Sequence, residues 1–291
     1  MLNETYELNN GVKIPKLGLG TWLIDNEKVV EVVKTALAAG YRHIDTAQAY
    51  GNEEGVGKAI RESSTPREEI FVTSKIAAEA KTYEEAYNSI IESLQKLGLD
   101  YIDLMIIHSP EPWAEFRGDK KYFAENKEVW KALETAYEEG KVKAIGVSNF
   151  LQDDLENILS SCKIKPMVNQ ILTHISNTKK ELIEFCKEND ILVEAYSPIA
   201  HGAALKNETI MKMATKYHVS VAALCIRYVL ELGLVALPKA STKKHIIDNA
   251  KVDFEISKED MDIFKNMDTI ENYGSDDFFP VFSGKNQKDN K

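Results

Sequence analysis

Residues 70–108 read IFVTSKIAAEAKTYEEAYNSIIESLQKLGLDYIDLMIIH. The stretch opens on a compact apolar run, IFVTSK (70–75), and passes through an amphipathic helical pattern from Tyr83 to Leu97. It closes on a second apolar run, YIDLMIIH (101–108). Both runs are continuous and rich in β-branched residues instead of alternating in and out. That is the pattern of parallel strands covered on both faces. Parallel neighbours need a crossover, and the helix between them supplies it.

The same unit repeats outward from this stretch. Upstream, a helical pattern (Val29, Val30, Val33, Ala36, Leu37) ends at Gly40, a suitable helix stop, and the run RHID and a helix near 53–62 follow. Downstream, VKAIGVSNF (142–150), PMVNQ (166–170), ILVEAY (191–196) and LVALPK (234–239) read as strands. Helical patterns near 126–139, 151–160, 178–188, 219–232 and 243–250 separate or follow them. Counting LGLG (17–20) first gives eight strand–helix units, which predicts an α/β fold, a (β/α)8 barrel; a doubly wound open sheet is the other topology. Before Trp22, TYEL and VKIP flank Asn9-Asn10-Gly11 and predict an N-terminal β-hairpin.

No linker or composition shift interrupts 1–291, so one domain is expected. Two stretches exceed ordinary connections: 109–125 after the fourth barrel strand, and the tail 269–291. The tail is expected to reach the substrate pocket with its aromatics, Phe278, Phe279 and Phe282, and to fray over KNQKDNK (285–291).

Composition excludes several function classes. With 36 Lys+Arg against 46 Asp+Glu the net charge is −10, which argues against nucleic acid and against an anionic membrane. Cys162, Cys186 and Cys225 are odd in number and far apart, as reduced cytosolic thiols are. The N-terminus MLNETYELNN lacks an apolar signal core and no run is long enough to span a bilayer. A cytoplasmic protein, a monomer or weak oligomer acting on a small molecule, is expected.

What stands at the strand ends is chemical. RHI ends in Asp45, IFVTS in Lys75, LMIIH in His108, AIGV in Ser148 and Asn149. PMV ends in Asn169 and Gln170, LVEA in Tyr196, and VALP in Lys239. One such residue would be a solvated loop start; a barrel makes seven such strand ends in succession converge on its catalytic face. The set lacks paired carboxylates for glycoside hydrolysis, a HExxH metal motif and a GxSxG nucleophile elbow. A tyrosine, a lysine, an aspartate and a histidine suit moving one proton at an oxygen, with a hydride-carrying cofactor as the natural partner.

These residues resemble a known family. GYRHIDTAQAYGNEEGVGKAI (40–60), TSK (73–75), DLMIIH (103–108), GVSNF (146–150), VNQ (168–170) and AYSP (195–198) match the aldo-keto reductase superfamily in order and spacing, over residues 6–250. The resemblance implies a catalytic tetrad of Asp45, Tyr50, Lys75 and His108. It implies NADP(H) bound without a Rossmann fingerprint, which fits a chain where GxGxxG and the P-loop both fail. Ser148, Asn149 and Gln170 match residues that hold the carboxamide, and Tyr196 matches the ring that stacks on nicotinamide. Thr21 belongs beside that ring and Trp22 on the substrate side, and Ser197 completes the cofactor wall. An ammonium from Lys75 beside Tyr50 is expected to lower the phenol's pKa toward neutrality, with Asp45 holding Lys75 and His108 donating to the carbonyl oxygen.

The chain departs from the family at two places. Its adenine-end segment, LPKASTKKHIIDN (237–249), keeps Lys239 and Asn249 but has Ala240 for Ser and His245 for Arg. Ser241 and Thr242 accompany them. A neutral histidine cannot grip a 2′-phosphate as arginine does, so NADP(H) with some use of NAD(H) is expected. Many relatives carry Trp directly after the catalytic histidine; here it is Ser109, with Trp113 four residues on. The implied activity is reduction of small aldehydes and ketones, including dicarbonyls and sugar-derived keto acids. A catalytically weak, cofactor-binding regulatory subunit of the same fold is the alternative, and a non-redox barrel isomerase the third.

Overall fold

Asn9 and Asn10 tie the start of the chain to the rest of it. Strands β1 (Thr5–Glu7) and β2 (Lys13–Pro15) pair antiparallel, and Gly11 turns between them at φ 84°, an angle where a Cβ is strained. The Asn9 amide donates to the carbonyls of Pro166 and Asp190, and the Asn10 amide to that of Lys143. Each acceptor lies just before a later strand, so the hairpin covers the end where strands begin.

The computed structural model describes residues 1–270, Tyr273 and 280–282. Its parallel strands are β3 (Leu19–Gly20), β4 (His43–Asp45), β5 (Phe71–Ile76), β6 (Leu104–Ile107), β7 (Ile145–Ser148), β8 (Val168–Leu172), β9 (Leu192–Tyr196) and β10 (Val235–Leu237). They pair in chain order, and bridges from Leu17 to Ala236 and from Gly20 to Lys239 join the last strand to the first. The sheet is therefore a barrel, as expected, with no open edge to protect. Strands β5 to β8 are buried along their whole length, which explains their unbroken apolar runs.

Helices α1 (Asn26–Ala38), α2 (Glu53–Glu62), α3 (Tyr83–Leu97), α4 (Phe123–Glu138), α5 (Gln152–Leu159) and α6 (Lys180–Glu188) follow β3 to β8 in turn. Local chemistry sets α3's ends. Thr82 and Glu85 form a reciprocal capping box, and Gly98 closes the helix at φ 61°. A Cβ on Gly57 would overlap the Leu97 carbonyl, so that glycine lets α2 pack against the end of α3.

Two helices were not expected. After β9 the chain forms both α7 (Glu208–Lys216) and α8 (Val221–Glu231), and after α9 (Lys243–Asn249) it forms α10 (Lys258–Lys265). The Asn207 and Ser257 side chains cap α7 and α10. Their apolar stripes are narrow: α7 buries only Ile210 and Ala214, and α10 only Met261 and Phe264 among its apolar residues. Periodicity over so thin a stripe is weak.

Candidate active site

Asp45 is the last residue of β4, Lys75 lies in β5, and His108 follows β6 directly. Ser148 ends β7, Gln170 lies in β8 and Tyr196 ends β9. At this end of the barrel a cavity of about 260 Å³ is lined by Asp45, Tyr50, His108, Ser148, Asn149, Gln170, Tyr196, Ser197 and Lys239. Trp22 and Trp113 face the same space. Residues spread over more than two hundred positions of sequence thus meet in one chamber.

Lys75 sits beneath the chamber floor, fully buried. Its ammonium donates to Asp45 Oδ1 at 2.6 Å and to the Thr46 carbonyl at 2.8 Å, and reaches the Tyr50 hydroxyl at 3.4 Å. The second Asp45 oxygen accepts from Gln170 Nε2 at 2.8 Å, and the same nitrogen donates to Glu194 at 2.9 Å. The expectation of a lowered Tyr50 pKa needs correction. Burial first, then the Asp45 charge, push the phenol well above its ordinary value. The ammonium is closest to Asp45 and Thr46, and the longer reach to Tyr50 does not outweigh desolvation. Burial and the Lys75 charge likewise hold His108 well below the usual histidine range, so its imidazole is neutral.

Tyr50 is held from both sides. It ends the short helical turn Gln48–Tyr50, and Gly51 reverses the chain at φ 66°. The Thr46 hydroxyl donates to Asn52 Oδ1 at 2.6 Å, and the buried Asn52 amide donates to the carbonyls of Thr21 and Ile24. The Gln48 amide donates to Ser89 O and Ser93 Oγ, while its oxygen accepts from Ala77 N. Asn52 and Gln48 were missed as positioning residues, although both lie beside the quoted tyrosine. Thr21 does not line this cavity, and its buried hydroxyl donates to the Asp45 carbonyl.

The apolar wall is made of rings. Trp113 meets His108 edge-on with centroids 5.1 Å apart, so it reaches the histidine from the 109–125 segment in place of a tryptophan at 109. Trp22 stacks on Phe282 at 5.3 Å, and His201 stacks on Phe282 at 5.1 Å. His201, Gly202, Ile199 and Val281 also line the cavity and were not foreseen. Ser197, Ala200 and His201 all hold φ near 50°, strained for residues with a side chain, and such strain gathers at functional sites. Phe278 and Phe279 lie outside the described residues.

Lys239 links this cavity to a second one of about 570 Å³, lined also by Ser241, Asp25 and Lys28. Lys239, Ser241, Thr242, Lys243, Lys244 and His245 are all exposed along this edge. Thr242 caps α9 by accepting from His245 N, and neither residue lines either cavity. Asn249 is buried at the end of α9 and also lines neither. Among the described residues no group of three potential metal ligands occurs.

Comparison with known proteins agrees with this geometry. Residues 16–269 match the model of the aldo/keto reductase family. The chain is 44% identical to glyoxal reductase of Bacillus subtilis over 275 residues, 94% of this chain and 96% of that one. It is 36% identical to methylglyoxal reductase DkgA of Escherichia coli over 280 residues, 95% and 98% of the two chains. Its fold superposes on a Bombyx mori aldo-keto reductase solved with NADP at TM-score 0.84, with 31% identity over 94% of this chain and 96% of that one. Strand order, catalytic-face chemistry and these likenesses agree: the chain belongs to the aldo/keto reductase family.

Proposed function

We propose that the protein reduces small aldehydes and ketones to alcohols with NADP(H), Tyr50 giving the proton. The observation that carries this reading is the buried relay of Asp45, Lys75 and Tyr50 opening onto an apolar chamber beside His108. The bound nicotinamide would supply hydride. The donor set fits it: both N–H groups of Gln170 are directed to carboxyl groups, which leaves its carbonyl oxygen for a carboxamide N–H. Tyr196 offers a ring whose hydroxyl is pinned to Asn149 Oδ1 at 2.7 Å. Ser148, Asn149 and Ser197 complete that wall, and Lys239, Ser241, Thr242 and His245 would face the adenosine phosphate.

Tyr50 and His108 meet edge-on with ring centroids 5.6 Å apart, so one substrate oxygen can sit against both. His108 would donate to that oxygen as negative charge gathers. Tyr50 enters the reaction fully protonated, and its developing phenolate is met by the Lys75 ammonium only as the proton leaves. Such a differential interaction lowers the barrier more than the ground state. Trp22, Trp113, Val281 and Phe282 wall the part of the cavity left beside the nicotinamide, which favours small carbonyls.

The two named relatives point to dicarbonyls as the first substrates to test. Three unpaired cysteines agree with a cytoplasmic site of action. The test is a panel of glyoxal, methylglyoxal, a simple aldehyde and a ketone with NADPH and NADH in parallel. Steady NADPH oxidation with the dicarbonyls is expected. Tight NADPH binding with no turnover on any carbonyl would overturn the reading.

A further inference from the structure

Glu194 stands in the middle of β9, with no solvent-exposed surface, in a run that is otherwise apolar up to Tyr196. A buried carboxyl is costly unless paired or protonated. Its Oε2 accepts from Gln170 Nε2 at 2.9 Å, and Asp45 Oδ2 accepts from that same nitrogen at 2.8 Å. One amide therefore bridges two carboxyl groups.

We propose that Glu194 is a positioning residue for the reaction. Through the amide it shares with Asp45, it helps hold the Gln170 carbonyl oxygen toward the cofactor cavity and sets the charge around the Lys75 ammonium. The proposal rests on the reading of Asp45, Lys75 and Tyr50 as the proton relay. Flipping the Gln170 amide would place its oxygen against the Asp45 carboxylate, so Asp45 fixes the orientation and Glu194 accepts the second N–H. With Glu194 replaced by an apolar residue, that second N–H loses its acceptor.

The charge count around Glu194 is uneven. From β4 come Asp45 and His43, from β5 Lys75, and from β8 the neutral Gln170. Val235 of β10, its strand partner, is apolar. His43 Nε2 lies 3.0 Å from Thr73 Oγ1 and 3.7 Å from Glu194 Oε1, and burial pushes this histidine down to about 3, so it brings no charge. One ammonium thus faces two carboxyl groups, and it is bonded to Asp45. Burial, then the Asp45 charge, push Glu194 up to about 8, so near neutrality it is protonated. Once ionised, it would oppose the Lys75 field at Tyr50 and make the phenol a poorer acid. Reduction should weaken as pH rises through about 8.

The experiment is kcat/KM for benzaldehyde reduction at saturating NADPH, across about pH 6 to 9.5, in wild type, Glu194→Gln and Tyr50→Phe. A change of about one unit in Tyr50 acidity alters proton transfer by up to about tenfold. The wild-type ratio between pH 7 and pH 9.5 should therefore approach about tenfold. Glu194→Gln keeps the shape and the acceptor but cannot ionise, so its ratio should be near one through that range. A merely structural role would leave the step in place. An unchanged step in Glu194→Gln overturns the proposal, whereas an active Tyr50→Phe overturns the relay beneath it. Should the glutamine variant fail to fold, infrared difference spectra of the wild type decide. A protonated-carboxyl band lost near pH 8 supports Glu194, and no such band overturns it.

Discussion

The Lys75 ammonium and the Asp45 carboxylate lie 2.6 Å apart, with side-chain exposures of 0% and 5%. A pair this dry contributes little net stability intact, yet breaking it leaves a buried charge without its partner. Asp45→Asn should cost about 3–5 kcal/mol in urea unfolding and abolish most reduction. Glu194 is the carboxyl left to ionise in that variant. Adding Glu194→Gln should then cost more than the two single changes combined. Additive costs would show that the two carboxyl groups do not share Lys75.

Tyr50→Phe should lower kcat by about 10²–10⁴-fold while leaving NADPH affinity nearly intact. The hydroxyl bears on the Lys75 ammonium at 3.4 Å, while the walls assigned to the cofactor come from other strands. Single-turnover kinetics and NADPH fluorescence titration separate the two quantities. Activity above about a tenth of wild type would remove Tyr50 as the acid.

Trp113→Ala should act on substrate more than on cofactor. Its ring packs edge-on against His108 and is buried. An aromatic pair is worth about 0.5–1.5 kcal/mol beyond area burial, so KM for aromatic aldehydes should rise by up to about tenfold. NADPH affinity should change little. An unaltered KM would place substrate away from this wall.

His245→Arg should raise the preference for NADPH over NADH, and Lys239→Ala should lower it. Both side chains are exposed at the edge next to the second cavity, and neither variant should disturb the core. A charge-assisted bond to a 2′-phosphate contributes about 1.5–3 kcal/mol, one to two decades of affinity. The readout is the ratio of kcat/KM with the two cofactors. A ratio unmoved by both variants would mean that the phosphate is not read at 239–245.

Stability should fall in mild acid. Burial pushes His43 down to about 3 and His174 down to about 4, so each binds its proton more weakly folded than unfolded. Their stabilising contribution is intact above the ordinary value near 6.5 and is lost as pH drops below it. Between pH 6.5 and 5 each should lose about 2 kcal/mol. Glu194, raised to about 8, has the opposite sign and returns about 2 kcal/mol over the same span. That return is lost in Glu194→Gln, so its fall in stability from pH 6.5 to 5 should be deeper than the wild type's by about 2 kcal/mol. Urea midpoints at the two pH values check this, and a flat profile in both proteins would contradict it.

Strand and helix order was legible in the sequence because both are local periodicities, as in residues 70–108. So were Asp45, Lys75, His108 and Gln170, since a polar residue ending an apolar run is visible without any coordinates. Helices α7 and α10 were not: α6 buries as few apolar residues, but the strand–helix alternation calls for it, whereas α7 and α10 are extra to that alternation. Only the tertiary structure decided how the site is wired. The Gln170–Asp45 bond spans 125 residues, and closure of the barrel alone brings those strand ends together. The Tyr50 acidity was misjudged for the same reason: spacing reveals a neighbouring lysine but not that burial and Asp45 outweigh it. Glu194 stands within the apolar run ILVEAY. Its meaning came from what lies across the barrel, since a carboxyl's charge is set by its surroundings and not by its position in the chain.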